Sequence, residues 1–189
     1  MRLNIPKSFQ IETARLRLRI PDQTDFPFIF SATRVKGFND GMLWDPPIDE
    51  SELLVPLQRS IVAWEQNEGY TFTIENKETN NFLGRISIRK TSTKNRWNVG
   101  FWTHPESQKK GIMTEALKAV LDFGFRELSA NQIEACHALW NVASEKVLKR
   151  NGMQFDRYIE QGFEKNGEWV AENLLVIDRE EWEKTSNWG

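Results

Sequence analysis

The sequence predicts a mixed α/β or α+β domain built around a largely antiparallel sheet. Several segments alternate strictly between apolar and polar residues and are joined by turn residues, which is typical of antiparallel strands. Other segments carry apolar residues at helical spacing. One of these helices, over residues 111–127, lies between two predicted strands, and it is the one crossover that could make a parallel pair.

In the first part of the chain the repeat of apolar residues changes from every second residue, as in a strand, to every 3.6 residues, as in a helix, and back. The predicted elements, in order, are a strand over 15–20, a helix over 22–34 with Asp22 as an N-cap candidate, a loop over 37–47, a helix capped by Asp49 or Ser51 and ended by Gly69, and a strand over 70–74. Asn80-Asn81 then predicts a turn into an antiparallel strand over 82–88.

The second part begins with a third strand of this meander over 97–102. The elements expected after it are a long helix following Gly111, a strand over 133–139, a short helix over 141–150, strands over 155–163 and 168–177, and a helical turn from Asp178. The last two strands form a hairpin because Asn166-Gly167 is the strongest hairpin dipeptide.

Composition limits the function classes. A chain of 189 residues predicts one domain, 1–189, because domains hold about 150 residues. The net charge of −2 argues against a nucleic-acid partner and a polybasic membrane anchor. Cys136 is the single cysteine, so no intrachain disulfide or multi-cysteine zinc site can form, and two histidines leave little scope for metal catalysis. No apolar stretch reaches a membrane span, and the N-terminus has no signal-peptide core, so we expect a cytoplasmic protein without metal.

The stretch that opens the long helix predicts an anion site. The first N–H groups of a helix have no internal acceptor and carry the positive end of the helix dipole, so they favour a phosphate or pyrophosphate. Gly111 permits close approach to the backbone, and Lys109 and Lys110 add positive charge. An ordinary helix start beside a solvated basic edge is the alternative. No Walker loop and no Rossmann fingerprint occurs in the sequence.

These residues resemble a known family. Gln108-x-x-Gly111-x-Met113 is similar to the Q/R-x-x-G-x-G/A pyrophosphate loop of the GCN5-related N-acetyltransferases (GNAT), with Met113 where the superfamily prefers Gly or Ala. The whole run from Gly100 to Leu117 resembles the branch that acetylates the N-termini of ribosomal proteins. Three further stretches are also similar to that branch: Thr13–Arg19, Asn141–Met153 and Asp178–Trp182.

The resemblance implies acetyl-CoA as the donor and a sheet in which one parallel strand pair is splayed. It assigns Trp102, Thr103 and His104 to the pantetheine arm. At the pyrophosphate it places the loop and first helical turn, Gln108, Lys109, Lys110, Gly111, Ile112, Met113 and Thr114. It also implies that Asn141 hydrogen-bonds the arm and that Ser144 protonates the leaving thiolate. The structural alternatives are a helix N-cap for Asn141 and an exposed first-turn serine for Ser144.

The general base is open. Some relatives carry a carboxylate on the final hairpin, but counting from Ser144 puts Phe163 in that position, with Glu164 one residue out of phase. Deprotonation by water is one alternative, and the candidate side chains are Glu75, Glu160, Glu164 and His137. Cys136 is interpreted as core packing, because direct transfer needs no acyl-enzyme and the adjacent His137 faces the other side of the strand.

The resulting hypothesis is an enzyme that transfers acetyl from acetyl-CoA to a primary amine, either a small molecule or a peptide or protein N-terminus, directly in a ternary complex. A catalytically weak acyl-CoA-binding sensor or scaffold is the alternative. A nucleic-acid protein using the basic centre is disfavoured by the net charge. The oligomeric state is open, although eight tryptophans would suit a homodimer interface.

Overall fold

The computed structural model describes residues 5–186, which form an eight-stranded mixed sheet. In chain order the strands are β1 Ile11–Glu12, β2 Leu16–Arg19, β3 Gly69–Asn76, β4 Phe82–Lys90, β5 Arg96–Thr103, β6 Gln132–Ala138, β7 Gln154–Lys165 and β8 Glu168–Asp178. Their order in the sheet is β1-β2-β3-β4-β5-β6-β8-β7. Only β5 and β6 are parallel within the described sheet, so the predicted fold class is confirmed.

Helices cover the sheet and connect its strands. They are α1 Phe26–Thr33, α2 Leu54–Gln66, α3 Ile112–Arg126, α4 Val142–Arg150 and α5 Arg179–Ser186. Asp22 and Asp49 act as caps, but each caps a short 3₁₀ turn that precedes α1 or α2. Helix α2 ends at Asn67, which adopts the left-handed conformation, and the predicted terminator Gly69 instead begins β3. No helix within residues 5–186 is long and apolar enough to cross a membrane.

The main core lies on one face of the sheet, under α2 and α3. The ring of Trp64 from α2 lies 5.0 Å from that of Tyr70 and 5.1 Å from that of Phe72. Phe123 from α3 packs edge-on against the same two rings. Because alternate residues of a strand point to opposite faces, the polar residues between these aromatic positions all face the other side.

That second face carries a buried ionic network. Asp25, only 1% exposed, accepts hydrogen bonds from Arg19 Nη2 at 2.8 Å and Thr73 Oγ1 at 2.5 Å. Arg19 Nε also donates to Glu75 at 2.9 Å, and Arg17 Nη1 donates to the other oxygen of Glu75 at 3.0 Å. These contacts attach the start of α1 to β2 and β3. Two buried carboxylates are therefore matched by guanidinium groups, which is the condition for burying charge.

Replacing Asp25 by Asn should lower the free energy of unfolding by about 3 kcal/mol, because it removes the counter-charge of the buried Arg85 and one of the carboxylates bound by Arg19. Urea denaturation measures the change. Asp22→Asn is the matched control, since Asp22 is 54% exposed and asparagine caps a helix equally well. Equal losses in the two variants would contradict the importance assigned to the buried network.

Candidate active site

Strands β5 and β6 pair only where they begin. Their three parallel partners join Arg96–Asn98 to Gln132–Glu134. Beyond these residues β5 stays paired with β4 as far as Thr103, and β6 stays paired with β8 as far as Ala138. The facing edges of β5 and β6 therefore diverge into a V, whose inner N–H and C=O groups are available to a ligand.

A cleft of about 450 Å³ opens at this V. Its floor is the polar sheet face, where Arg85 and Trp102 lie. Its walls are the loop from Gly41 to Trp44, the start of α4 and the last hairpin. Lys165 of β7 connects two of these walls, because its Nζ donates to Trp44 O at 3.1 Å and to Asp45 Oδ1 at 2.8 Å.

The loop that leads into α3 is exposed from Gln108 to Gly111. Lys109 and Gly111 have positive φ angles, 60° and 75°. Among the described residues, none accepts a hydrogen bond from the backbone N–H groups of residues 111–114, and the first N–H bonded back to the loop is that of Glu115. The turn thus presents unpaired donors at the positive end of a 15-residue helix.

Sequence reasoning missed that Arg15 supports this turn. Its Nε donates to Glu115 Oε2 at 2.7 Å, and its Nη1 donates to Lys110 O at 3.2 Å. Thr13 Oγ1 donates to the other oxygen of Glu115 at 2.6 Å. Burial opposes these bonds, but together they lower the pKa of Glu115. The signal was an arginine at the start of the first predicted strand and a glutamate in the first turn of α3, but their pairing depends on the tertiary structure.

Asn141 and Ser144 both line the cleft. Asn141 caps α4, since its Oδ1 accepts a hydrogen bond from the N–H of Ser144 at 3.1 Å. This cap leaves the Asn141 amide NH₂ as a free donor among the described residues. Ser144 is partly buried, and its hydroxyl has no hydrogen-bond partner in the described part of the chain. The structural and functional interpretations of Asn141 are therefore compatible.

The three residues predicted along the cofactor arm differ in whether they have groups free to contact a ligand. Trp102 packs edge-on against Phe38 at 5.3 Å and faces the cleft, and Thr103 ends the strand. His104 is 8% exposed and already occupied, because its N–H donates to Leu83 O at 2.8 Å and its Nε2 lies 3.1 Å from Ser31 Oγ. Its assignment to the arm remains a prediction. Its backbone N–H and its Nε2 already have partners within the protein.

The structure places the candidate bases in different environments. Glu75 belongs to the buried ionic network. Glu160 and Glu164 are exposed on β7 and do not line the cleft. His137 is buried beside the V, with Nδ1 2.9 Å from Ala138 O, so Nδ1 carries a proton and Nε2 is the basic nitrogen. The structure adds a carboxylate that sequence reasoning did not propose: Glu172 of β8 lines the cleft.

Glu172 and Cys136 lie side by side on the cleft face of β8 and β6. Burial raises the pKa of Glu172. Burial, followed by the charges of Glu172 and Glu134, raises the pKa of Cys136 to about 12. Cys136 is partly exposed to the cleft, so its interpretation as core packing needs correction, because the splayed strands open the sheet beside it. Within residues 5–186 no cluster of three His, Cys, Asp or Glu side chains could hold a metal ion.

A family model described as "Acetyltransferase (GNAT) domain" matches residues 15–154. The chain is also 31% identical over 100 residues to a Bacillus subtilis protein described as "Uncharacterized N-acetyltransferase YnaD". That alignment covers 53% of this chain and 59% of the relative, so the chain spans less than two thirds of the relative's length.

Solved structures share the fold. RimL, a ribosomal alpha-N-protein acetyltransferase in complex with coenzyme A, superposes with a TM-score of 0.81 at 19% identity, over 90% of this chain and 98% of its own. An acetyl transferase of Salmonella typhimurium that modifies the N-terminal serine of a 50S ribosomal subunit protein gives a TM-score of 0.80 at 19% identity, over 90% and 99%.

The raised pKa of Cys136 makes a direct prediction about thiol chemistry. At pH 8 iodoacetamide should alkylate the folded protein at least about a hundredfold more slowly than a free cysteine peptide, because the thiolate is the reacting form. Mass spectrometry follows the reaction, and the protein unfolded in urea is the control. Alkylation of the folded protein at the peptide rate would contradict the charge and burial described around this thiol.

Proposed function

We propose that this chain, which belongs to the acetyltransferase (GNAT) family, is an acetyl-CoA-dependent acyltransferase that acetylates a primary amine by direct transfer in a ternary complex. The proposed acceptor is the α-amine of a peptide or protein N-terminus. The observation that carries the proposal is the V between β5 and β6, where the cleft lies beside two free strand edges. A ligand that pairs with these edges would be held next to a second ligand on the cleft floor.

The residues along the V and at α3 fit coenzyme A. The unpaired N–H groups of residues 111–114 suit the pyrophosphate, with Gln108, Lys109 and Lys110 around it. A Cβ added at Gly111 would meet only Arg15 Nη2, at 3.6 Å, so space is open above the turn. We assign Trp102, Thr103 and the free amide of Asn141 to the pantetheine arm, whose amides can pair with open strand edges.

Proximity would supply much of the catalysis. Acetyl-CoA brings the activated thioester. We assign to Ser144 the donation of its hydroxyl proton to the departing thiolate, because this hydroxyl lines the cleft and is not engaged by other described residues. The N–H groups on the open edge of β5 would polarise the carbonyl that the amine attacks.

The cleft floor supports an acceptor with oxygen atoms near the amine. Arg85 is only 15% exposed in its side chain, and its Nε and Nη2 have no hydrogen-bond acceptor among the described residues. The Asp25 carboxylate lies 3.6 Å from Nη2 and balances the charge. Buried donors without acceptors are costly, so a peptide carbonyl is a suitable partner. A protein acceptor also agrees with the activity described for the Salmonella typhimurium enzyme.

Coenzyme A at about a hundred times its Kd should raise the melting temperature by about 5 °C or more, measured by differential scanning fluorimetry. Gly111→Trp should abolish this shift, since its ring fills the space at the turn. Gly167→Trp is the control, because Gly167 also has a positive φ but lies at a hairpin tip far from the site. No shift with the unmodified chain at millimolar ligand would contradict the cofactor assignment.

Release of free thiol from acetyl-CoA tests the acceptor class. A peptide with a free N-terminus should react with a kcat/KM at least about tenfold above that of a simple alkylamine, because Arg85 has a carbonyl to bind only in the peptide. The same peptide with a blocked N-terminus should be inert. Tight coenzyme A binding without turnover of any amine would instead support the sensor alternative.

A further inference from the structure

Glu172 of β8 lines the same cleft as Arg85. Across the sheet it pairs with Ala138 of β6 and Ile159 of β7. Strand alternation places its side chain on the same face as Cys136, two residues from Ala138. Alternation turns His137 to the opposite face of β6, but it also lines the cleft because β5 and β6 have parted beside it. The strand register therefore places Glu172 on the same face of the sheet as Arg85, where we proposed that the acceptor binds.

A bulge in β7 makes room for this carboxylate. Ile159 pairs with Glu172 and Phe163 pairs with Val170, so three residues of β7 intervene where β8 has one. Gly162, in that bulge, lies directly against Glu172. A Cβ placed on Gly162 would come within 2.5 Å of Glu172 Cγ and Oε2. Any larger residue at 162 would displace the carboxylate.

The carboxylate of Glu172 is not neutralised inside the protein. Among the described residues it forms no hydrogen bond and no ion pair. The titratable groups of β6 beside it are Glu134, Cys136 and His137. Those of β7 that flank its partner Ile159 are Arg157, Tyr158 and Glu160. Burial raises its pKa, which makes it a stronger base than an exposed glutamate.

We propose that Glu172 is the catalytic base that removes a proton from the acceptor ammonium. The proposal rests on the acetyl transfer proposed above. The ammonium N–H bond breaks and its proton moves to a Glu172 oxygen, so a cation and an anion become a neutral amine and a neutral carboxylic acid. The amine then forms the C–N bond as the C–S bond breaks, and its second proton passes to Ser144 as Ser144 gives its own hydroxyl proton to the thiolate. Glu172 finally releases its proton to water.

His137 is the competing base, because its Nε2 is buried without a hydrogen-bond partner in the described residues. It projects from the opposite face of β6 to Glu172, however, although both line the cleft. An acceptor that enters from the polar face meets Glu172 first. The two bases are distinguished by comparing Glu172→Gln with His137→Gln.

The first measurement needs no turnover. The ¹³C carboxyl resonance of Glu172, identified by its loss in Glu172→Gln, is titrated in the unmodified protein with and without peptide. A peptide with a free N-terminus should lower the titration midpoint by about one pH unit, because its ammonium stabilises the carboxylate. The N-acetylated peptide should leave it unchanged. Equal effects of the two peptides, or none, overturn the proposal.

Kinetics provide the second measurement. Glu172→Gln should lower kcat/KM about a hundredfold, whereas Glu164→Gln, on the same hairpin but exposed, should retain the unmodified value. Gly162→Ala should give a smaller loss by moving the carboxylate. Loss of activity in His137→Gln with full activity in Glu172→Gln overturns the proposal.

Two controls separate the possible failures. Coenzyme A should stabilise Glu172→Gln as much as the unmodified chain; failure of both proteins to respond would refute the acetyl transfer itself. Folding is checked by urea denaturation against pH. Because the pKa of Glu172 is raised, its contribution to stability is complete below about pH 4 and is lost as the pH rises, so the glutamine variant should be at least as stable at pH 7.

Discussion

The early separation of two parallel strands is the constraint on which the site depends. After three paired residues β5 continues beside β4 and β6 continues beside β8, so each strand keeps one neighbour and exposes its other edge. Gly84 of β4 helps to keep β5 close, because a Cβ there would lie 2.4 Å from Trp102 O. The V then places the α3 turn, the start of α4 and the polar sheet face around one opening. Without the separation, the edge groups would bond to each other and the sheet would be closed.

The polar face shows how charge is distributed between stability and function. Toward β2 and β3, carboxylates and guanidinium groups are paired at 2.8 to 3.0 Å, and this network fixes α1 to the sheet. Toward the V the pairing becomes incomplete. Arg85 keeps donors without acceptors, and Glu172 keeps a carboxylate without a partner. Buried polar groups normally have hydrogen-bond partners, but those at the end of the face that opens into the cleft do not. A substrate bound there could supply the missing partners.

Much of the fold could be predicted from periodicity and turn chemistry. The apolar face of α3, the Asn166-Gly167 hairpin and the capping by Asn141 depend on local sequence, and each is found in the structure. The position of β8 between β6 and β7 depends on long-range strand pairing, which leaves no local sequence pattern. The β7 bulge had one local signal, Gly162, because a glycine inside a strand pattern suggests a bulge, but that signal does not fix the size of the bulge or the residue opposite it. Counting from Ser144 located Phe163, which does line the cleft. Glu172 on β8 could not be located in this way, because its position depends on the bulge in β7 and on the strand order.

Amide hydrogen exchange with and without coenzyme A tests the geometry most directly. The amides that should become protected are those of residues 111–114 and the edge amides of Val99–Thr103 that point away from β4. Amides in the shallow concavity of about 400 Å³ on α2, beside Val55 and Arg59, should exchange as before. Protection confined to that concavity, or an unchanged pattern along β5 and α3, would show that the parted strands do not hold the cofactor.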